Sequence, residues 1–265
     1  EIVVANAAGS NIANILLVVG LSAIVGRKLV VSKSLIDLDI PLLAVVTALF
    51  LGAAWDGTIV LAESVLLVVA YGIYLAYTIV YKDDVDHDVA ESDILPDRAQ
   101  RRGHKTGPKT KSVARPKVSF FDVILLVAGA AGLVAGAKYL IDSVLVISDI
   151  IGIGAGVIAL VAVAFGTSLP EILVSVKAAL RKQSEIALGN IFGSNVFNLL
   201  VVVGLPGLFK TLELDPKTLS LGLPILLVAT ILFVISGISK RIHVWEGSMY
   251  LLLYVFFVGK LFGLF

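Results

Sequence analysis

The sequence has no cysteine and few charged residues, and these two shortages limit what the protein can be. Without cysteine, neither disulfides nor thiolate metal sites can form. Charged residues make up 15% of the chain, against 58% hydrophobic residues and a mean hydropathy of +1.00. A soluble domain of this length has too few buried positions for so many apolar side chains. The net charge of +1 gives no indication of nucleic-acid binding, because the basic residues flank apolar runs. The composition therefore indicates a protein embedded in a lipid bilayer.

Apolar runs of about 20 residues recur along the chain, and each can cross roughly 30 Å of hydrocarbon as a helix. Helices are expected because an unpaired backbone group in lipid costs several kcal/mol, and the period-2 alternation of a membrane barrel is absent. We therefore predict an all-α polytopic membrane protein. Its spans are expected at residues 2–25, 37–54, 57–80, 120–148, 152–179, 185–208, 219–238 and 244–264.

One long polar stretch, from Lys82 to Lys117, separates the third span from the fourth. Its first half is acidic and its second half basic, with proline, glycine and serine, which predicts a mobile linker at 82–118. Nearly all lysines and arginines that flank the spans fall on the side of this linker. Only Lys210 and Lys217 fall on the other side. By the positive-inside rule, the linker faces the cytoplasm and the protein lies in the cell membrane.

The segment 1–24 recurs at 185–208, with half of the positions identical. The tripeptide Gly-Ser-Asn at 9–11 returns at 193–195, and Asn6 and Asn14 return as Asn190 and Asn198. Shared hydrophobicity would not place these polar residues in register. Five predicted crossings separate the two copies, so the copies have opposite orientations, as in inverted-repeat transporters.

The repeat unit is therefore five helices, and the first copy shows only three of them, at 1–81. The second copy occupies 119–265. We expect ten helices in the complete protein, of which about eight are present here. Further echoes support the repeat: Pro41, Thr47 and Phe50 resemble Pro224, Thr230 and Phe233, and Trp-Asp-Gly-Thr at 55–58 resembles Trp-Glu-Gly-Ser at 245–248. Four ionisable residues near the spans show no counterpart in the other copy: Glu63, Lys138, Asp142 and Lys260.

The span 152–179 contains Gly-Thr-Ser-Leu-Pro-Glu at 166–171. Glu171 lies near its middle, where a charged side chain costs about 2.5–3.5 kcal/mol. Pro170 lacks an N–H and favours a break in the helix, with Glu171 directed into the protein. Residues 164, 167, 168 and 171 share one helix face. Carboxylate, hydroxyl and carbonyl oxygens on such a face suit hard cations, among them Ca²⁺ and Na⁺.

The repeated segments add two polar stripes with a spacing of four residues. One stripe holds Asn190, Ser194 and Asn198, and the other holds Asn6, Ser10 and Asn14. These side chains either supply neutral oxygens to an ion or join helices by hydrogen bonds, and recurrence in inverted copies favours the ion. Asn11 and Asn195 lie about 100° off the stripes and remain as further candidates to line the path.

These strings resemble the two α-repeats of the cation/calcium exchanger superfamily, in its prokaryotic sodium/calcium exchanger branch. The resemblance implies a ten-helix fold and electrogenic exchange of Na⁺ for Ca²⁺ at a midplane site, without a cofactor or an obligate protein partner. It also implies a ligand set, of which the carbonyl of Ala164 is the main-chain member: Ala164, Thr167, Ser168, Glu171, Ser194, Asn198, Ser10 and Asn14. The family's first repeat has a second glutamate-bearing helix, which this sequence lacks.

Three alternatives remain in view. A proton/calcium antiporter of the same fold would also use a midplane glutamate, but its repeats typically read Gly-Asn-x-x-Glu. A passive channel would need a continuous pore, whereas inverted repeats favour alternating access. An intramembrane enzyme is disfavoured because the three histidines lie outside the spans and cysteine is absent. The resemblance also disfavours a K⁺ requirement, because an Asp is associated with that requirement near the place of Asn198.

Overall fold

The computed structural model describes residues 1–32, 35–92 and 120–264, and these are almost entirely helical. The helices coincide with the eight predicted segments, several of which consist of consecutive pieces. They are α1 (Ile2–Ile12), α2 (Val19–Gly26), α3 (Ile40–Ala53), α4 (Leu61–Ser92), α5 (Phe120–Ile151), α6 (Ala155–Ile158), α7 (Ala164–Thr167), α8 (Leu169–Leu180), α9 (Ser184–Phe197), α10 (Gly204–Gly207), α11 (Leu223–Ile238) and α12 (Val244–Leu261).

Within the described ranges, five helical stretches are long and apolar enough to cross a bilayer by length and composition. They are 2–26, 61–80, 184–207, 218–238 and 244–261. The count is six if the bent pair 135–151 and 155–167 forms one span, and α3 is apolar but shorter. The stretch 2–26 is the most buried of the five. It therefore lies among the other helices, whereas the exposed apolar side chains of 61–80 suit contact with lipid.

Helix α4 is longer than the predicted third span. It continues to Ser92, so the first part of the stretch that the sequence assigned to the linker, 82–92, is helical. Helical hydrogen bonding propagates along a chain even when the side chains become polar, so hydropathy marks the end of the apolar run and not the end of the helix. The remainder of the predicted linker, 93–118, lies outside the described residues.

The chain divides into two compact units. One comprises Glu1–Leu75 with Val146–Phe265, and the other comprises Ala76–Leu145. The second unit holds the end of α4 and most of α5. Every residue of the predicted ion site belongs to the first unit.

Five π-helical turns interrupt the described helices, and four of them form equivalent pairs. Ala13–Val18 corresponds to Asn198–Val202, and Leu35–Asp39 corresponds to Thr218–Gly222. The fifth, Ala159–Val163, precedes α7. A π turn accommodates an extra residue within a helix and is common at functional sites. The pairing shows that the two copies share an irregular backbone as well as a sequence.

Two short antiparallel strand pairs show that the two copies run in opposite directions. Strand β1 (Lys28–Val30) pairs with β4 (Arg241–His243), and β2 (Thr58–Ile59) pairs with β3 (Leu212–Glu213). Helix α3 leads from the β1–β4 end to the β2–β3 end, whereas α11 leads from β3 back to β4. The stretch 2–26 likewise ends at β1, while 184–207 ends at the opposite pair. This arrangement is the predicted inverted repeat.

Equivalent hydrogen bonds flank the two strand pairs. Val31 donates its N–H to the Lys240 carbonyl at 3.0 Å, and Leu214 donates its N–H to the Gly57 carbonyl at 2.9 Å. Since 31 corresponds to 214 and 57 to 240, this part of the repeat has an offset of 183 residues. The predicted echo of 55–58 with 245–248 is therefore wrong in register.

The same offset gives Glu63 a counterpart, which the sequence analysis did not find. Glu63 Oε2 accepts the N–H of Val60 at 2.8 Å, and Glu246 Oε2 accepts the N–H of His243 at 2.7 Å. Each carboxylate satisfies an N–H at the first turn of its helix, where the helix dipole favours negative charge. Glu63 is therefore a structural cap in this fold.

Candidate cation site

The helix that carries the Gly-Thr-Ser-Leu-Pro-Glu string is broken where the sequence predicted. Helix α7 ends at Thr167 and α8 begins at Leu169, with Pro170 in its first turn. Ser168 lies between them and donates its N–H to the carbonyls of Ala164 and Phe165, at 3.1 Å each. Because proline has no N–H to continue the ladder, the chain restarts as a new helix.

Glu171 is directed into the protein, as predicted. The Ser194 hydroxyl, on α9, donates a hydrogen bond to Glu171 Oε1 at 3.0 Å. The other oxygen, Oε2, is buried and has no hydrogen-bond partner among the described residues. A buried carboxylate oxygen without a donor is costly unless a cation compensates its charge.

Ser10, Thr167 and Ala164 form a chain of hydrogen bonds across the two repeats. Thr167 Oγ1 donates to the Ala164 carbonyl at 3.0 Å and lies 3.0 Å from Ser10 Oγ. A hydroxyl has a single proton, so Ser10 is the donor in the second bond and keeps both of its lone pairs. The Ala164 carbonyl accepts from both Thr167 Oγ1 and the Ser168 N–H in this conformation.

Four buried or half-buried asparagines meet between the two copies of the repeat. Asn14 Nδ2 donates to Asn195 Oδ1 at 3.0 Å, and Asn198 Nδ2 donates to Asn11 Oδ1 at 3.1 Å. Asn11 Nδ2 donates to the Asn195 carbonyl at 3.0 Å. Asn14 Oδ1 is buried without a hydrogen-bond partner among the described residues. The amide groups of the two predicted ligands thus direct their N–H₂ groups into the protein.

Most donors of the site are used within the protein, and oxygen acceptors remain. Three of the predicted ligands have a buried side-chain oxygen without a partner among the described residues: Asn14 Oδ1, Ser168 Oγ and Glu171 Oε2. Within those ranges, no three Asp, Glu, His or Cys side chains form a cluster suited to a metal ion. One carboxylate with hydroxyl, amide and main-chain oxygens suits a hard cation that takes oxygen ligands in a flexible shell.

A close approach at Gly9 brings the first copy against the broken helix. A Cβ atom at Gly9 would lie 2.0 Å from the Leu160 carbonyl oxygen and 2.8 Å from the Ala164 Cβ. Only glycine allows this contact, which carries the adjacent Ser10 to Thr167. On the equivalent side of the second copy, a Cβ at Gly193 would have no described atom within 4 Å.

Seven of the eight predicted ligands form hydrogen bonds with one another or with Asn11 and Asn195. They are Ala164, Thr167, Ser10, Ser194, Glu171, Asn14 and Asn198. Ser168 is buried beside Thr167 at the helix break. The sequence analysis kept Asn11 and Asn195 only as possible lining residues, outside the ligand set, and both are fully buried in the network. Their recurrence in register was the available signal. Asn190 is tied instead to Ser175, at 3.3 Å.

An inverted repeat of apolar helices that encloses hydroxyl, amide and carbonyl oxygens together with the carboxylate of Glu171 is typical of a membrane transporter for cations. The comparison with known proteins names the family. The chain belongs to the sodium/calcium exchanger protein family, whose model matches residues 1–80 and 121–263. It is therefore grouped with cation/Ca²⁺ antiporters, which are transporters and not enzymes and which need no cofactor.

Curated relatives and solved structures agree with this assignment. The chain is 30% identical over 258 residues to the uncharacterized membrane protein MJ0091 of Methanocaldococcus jannaschii, covering 97% of this chain and 76% of that protein. It is 37% identical over 142 residues to the sodium/calcium exchanger MaX1 of Methanosarcina acetivorans, covering 53% and 41% of the two chains. A structure of the sodium-calcium exchanger NCX_Mj soaked with Na⁺ and Ca²⁺ matches with a TM-score of 0.64 and 28% identity, over 98% of this chain and 76% of that one.

Proposed function

We propose that this protein exchanges Na⁺ for Ca²⁺ by alternating access at the oxygen site between its two repeats. The ligands we assign are the eight predicted from the sequence: Ala164, Thr167, Ser168, Glu171, Ser194, Asn198, Ser10 and Asn14. The observation that carries the proposal is the arrangement of protons in the network. The hydroxyls of Ser10, Thr167 and Ser194 each donate their proton to an oxygen of the protein. The amides of Asn14 and Asn198 each donate through Nδ2 in the same way. Lone pairs on these side-chain oxygens therefore remain for a cation.

The carboxylate of Glu171 is required for Ca²⁺. A Ca²⁺ ion takes six to eight oxygen ligands, and neutral oxygens alone compensate poorly for the loss of the ion's hydration shell. Glu171 supplies the negative charge through Oε2, which has no donor within the described residues. Ser194 holds Oε1 and thereby fixes the carboxylate plane.

Na⁺ binds the same kinds of oxygen but brings half the charge. The hydroxyls of Ser10 and Ser194 keep both lone pairs, because each donates its proton elsewhere. Na⁺ and Ca²⁺ therefore compete for the same ligands and are not held together at full coordination. Mutual exclusion of this kind, with a buried carboxylate that is costly when empty, couples the movement of one ion to that of the other.

The Ala164 carbonyl joins the site only after a rearrangement. Its acceptor positions are taken by Thr167 Oγ1 and the Ser168 N–H. We infer that a bound ion displaces the hydrogen bond from Thr167 to the Ala164 carbonyl. The Thr167 hydroxyl keeps its proton and rotates, so that its oxygen and the Ala164 carbonyl oxygen both face the ion. The break between α7 and α8 provides the backbone freedom for this change.

The distribution of positive charge supports an orientation as well. We infer that the 82–118 linker lies in the cytoplasm and that the protein resides in the cell membrane, because basic residues concentrate on that side. The ions and the lipid bilayer are the partners we assign. We assign 1–81 to the first repeat and 119–265 to the second.

Ion-gradient exchange tests the function directly. Vesicles that contain the full-length protein are loaded with Na⁺, K⁺ or choline, and ⁴⁵Ca²⁺ uptake is measured with and without a pH gradient. We expect uptake only with internal Na⁺, without a K⁺ requirement. Uptake driven by the pH gradient and indifferent to Na⁺ would instead establish the proton/calcium alternative.

A further inference from the structure

Two asparagines outside the predicted ligand set join the two copies of the repeat. Asn11 and Asn195 are equivalent residues, 184 positions apart, and both side chains are fully buried. Asn11 Oδ1 accepts from Asn198 Nδ2, and Asn195 Oδ1 accepts from Asn14 Nδ2. Each of them therefore holds the side-chain amide of a ligand that belongs to the opposite copy.

A main-chain carbonyl fixes the direction of the first pair. The Asn195 carbonyl can only accept a hydrogen bond, so Asn11 must direct its Nδ2 toward it, at 3.0 Å. Asn11 Oδ1 then faces Asn198, which must donate through Nδ2. The Asn198 oxygen is thereby turned to the opposite side of its amide. The orientation of a predicted ligand thus follows from one backbone acceptor.

The second pair lacks this anchor. Asn195 Nδ2 is buried without an acceptor among the described residues, and so is Asn14 Oδ1 without a donor. If both amides turned over together, the hydrogen bond between them would persist, but Asn14 would present N–H₂ where it now presents oxygen. The Asn14 orientation is therefore held by Asn195 Oδ1 alone.

We propose that Asn11 and Asn195 are positioning residues, which hold the amides of Asn198 and Asn14 with their oxygens toward the transported ion. The proposal rests on the proposed function, since it takes Asn14 and Asn198 as ligands. An amide oxygen carries partial negative charge and its N–H₂ group partial positive charge. A reversed amide replaces an attraction to a cation by a repulsion, so the positioning residue contributes to affinity without contacting the ion.

A double-mutant cycle distinguishes positioning from a general structural role. Ca²⁺ affinity of the purified full-length protein is measured by equilibrium ⁴⁵Ca²⁺ binding for Asn11→Leu, Asn198→Ala and the double variant. We expect each single change to weaken binding about tenfold, the size typical for one lost polar contact to a charged group. Because Asn11 acts through Asn198, the double variant should bind no more weakly than Asn198→Ala alone.

The control cycle pairs residues that share no hydrogen-bond partner. Thr167 bonds Ser10 and the Ala164 carbonyl and has no contact of this kind with Asn11 or its partners. Asn11→Leu combined with Thr167→Ala should show losses that multiply. If Asn11→Leu and Asn198→Ala also multiply, Asn11 supports the fold in general and the positioning proposal is overturned. The melting temperature of each variant, measured in the same detergent, reports any loss of folding separately.

The mirror cycle keeps the proposal testable if Asn11→Leu does not fold. Asn195→Leu removes one side-chain hydrogen bond and an N–H₂ group that has no acceptor among the described residues, and it leaves the Asn195 carbonyl in place. Its effect should disappear in the Asn14→Ala background and persist in the Asn198→Ala background. Persistence in both backgrounds would overturn the proposal. If Asn14→Ala and Asn198→Ala themselves leave Ca²⁺ affinity unchanged, the ligand assignment fails instead.

Discussion

The Ser194 hydroxyl lies 3.0 Å from Glu171 Oε1 and donates its only proton to it. The two residues come from consecutive helices of one repeat, α9 and α8, which pack closely against each other. The contact directs Oε2 away from Ser194 and leaves it buried without a partner in the described residues. The charged member of the proposed ligand set, Glu171, is thus held by a neutral member, Ser194.

Replacing Glu171 by Gln should nearly abolish Ca²⁺ transport. Glutamine keeps the size and one oxygen but removes the charge that a divalent ion needs at the midplane. Removing one partner of a buried charge pair costs about 3–5 kcal/mol, which is more than about a hundredfold in affinity. The measurement is ⁴⁵Ca²⁺ uptake into Na⁺-loaded vesicles, with Na⁺ binding determined in parallel and expected to fall much less.

Substitutions of the proposed neutral ligands are the controls for the effect of Glu171→Gln on Ca²⁺ transport. Ser194→Ala, Asn198→Ala and Asn14→Ala should each act more mildly, because water can partly replace a neutral oxygen. By the repeat symmetry, Ser10→Ala should resemble Ser194→Ala. A Glu171→Gln protein with near wild-type Ca²⁺ flux would refute the assignment of Glu171 as the charged ligand.

Gly9→Ala should disrupt the site although glycine has no ligand atom in its side chain. The added Cβ would lie 2.0 Å from the Leu160 carbonyl, so the stretch 2–26 must move away from the broken helix and take Ser10 from Thr167. Overpacking of this kind costs typically about 1–3 kcal/mol, and Ca²⁺ affinity should fall with stability. Gly52→Ala is the matched control, since no described atom lies within 4 Å of its Cβ. Equal behaviour of the two variants would contradict this prediction.

Asp215→Ala should destabilise the start of the 218–238 stretch. Asp215 Oδ1 accepts the N–H groups of Lys217 and Thr218 at 3.1 and 3.0 Å, and Oδ2 accepts the Thr218 hydroxyl. Loss of such a helix cap costs about 0.5–2 kcal/mol, which should lower the melting temperature by several degrees. Asp215→Asn keeps one acceptor oxygen, so its melting temperature should lie between those of the wild type and Asp215→Ala. The exposed Glu213 gives the control, because Glu213→Ala should leave the melting temperature unchanged.

Thr47→Val and Thr230→Val should leave stability unchanged or raise it. These residues are equivalent in the two repeats, nearly fully buried, and neither hydroxyl has a hydrogen-bond partner among the described residues. Valine has the same shape without the buried polar group, whose desolvation costs about 1–3 kcal/mol. Ser175→Ala is the control and should lower the melting temperature, because Ser175 donates to the Ala187 carbonyl at 3.1 Å. Loss of ion exchange in either threonine variant would show that its hydroxyl serves transport.

The sequence alone determined the class of protein and the inverted repeat. Apolar run length predicts membrane helices because the bilayer sets a minimum span. Two copies of Gly-Ser-Asn in register, separated by five crossings, predict the inversion. The break after Thr167 follows from Pro170, which is a local property of the backbone. An ionisable residue at the midplane, Glu171, indicates a functional site because its burial is otherwise costly.

Tertiary structure decided which neighbour each polar group meets. Helical periodicity placed Asn11 and Asn195 off the predicted stripes, but the crossing of the two copies brings them onto the amides of Asn198 and Asn14. The equivalence of Glu63 and Glu246 in the two copies of the repeat likewise emerged only from the strand register. Periodicity assigns a residue to a face of its own helix, whereas the partner of that face depends on helix packing between distant segments. That packing also determined which buried oxygens of the described residues remain without a hydrogen-bond donor.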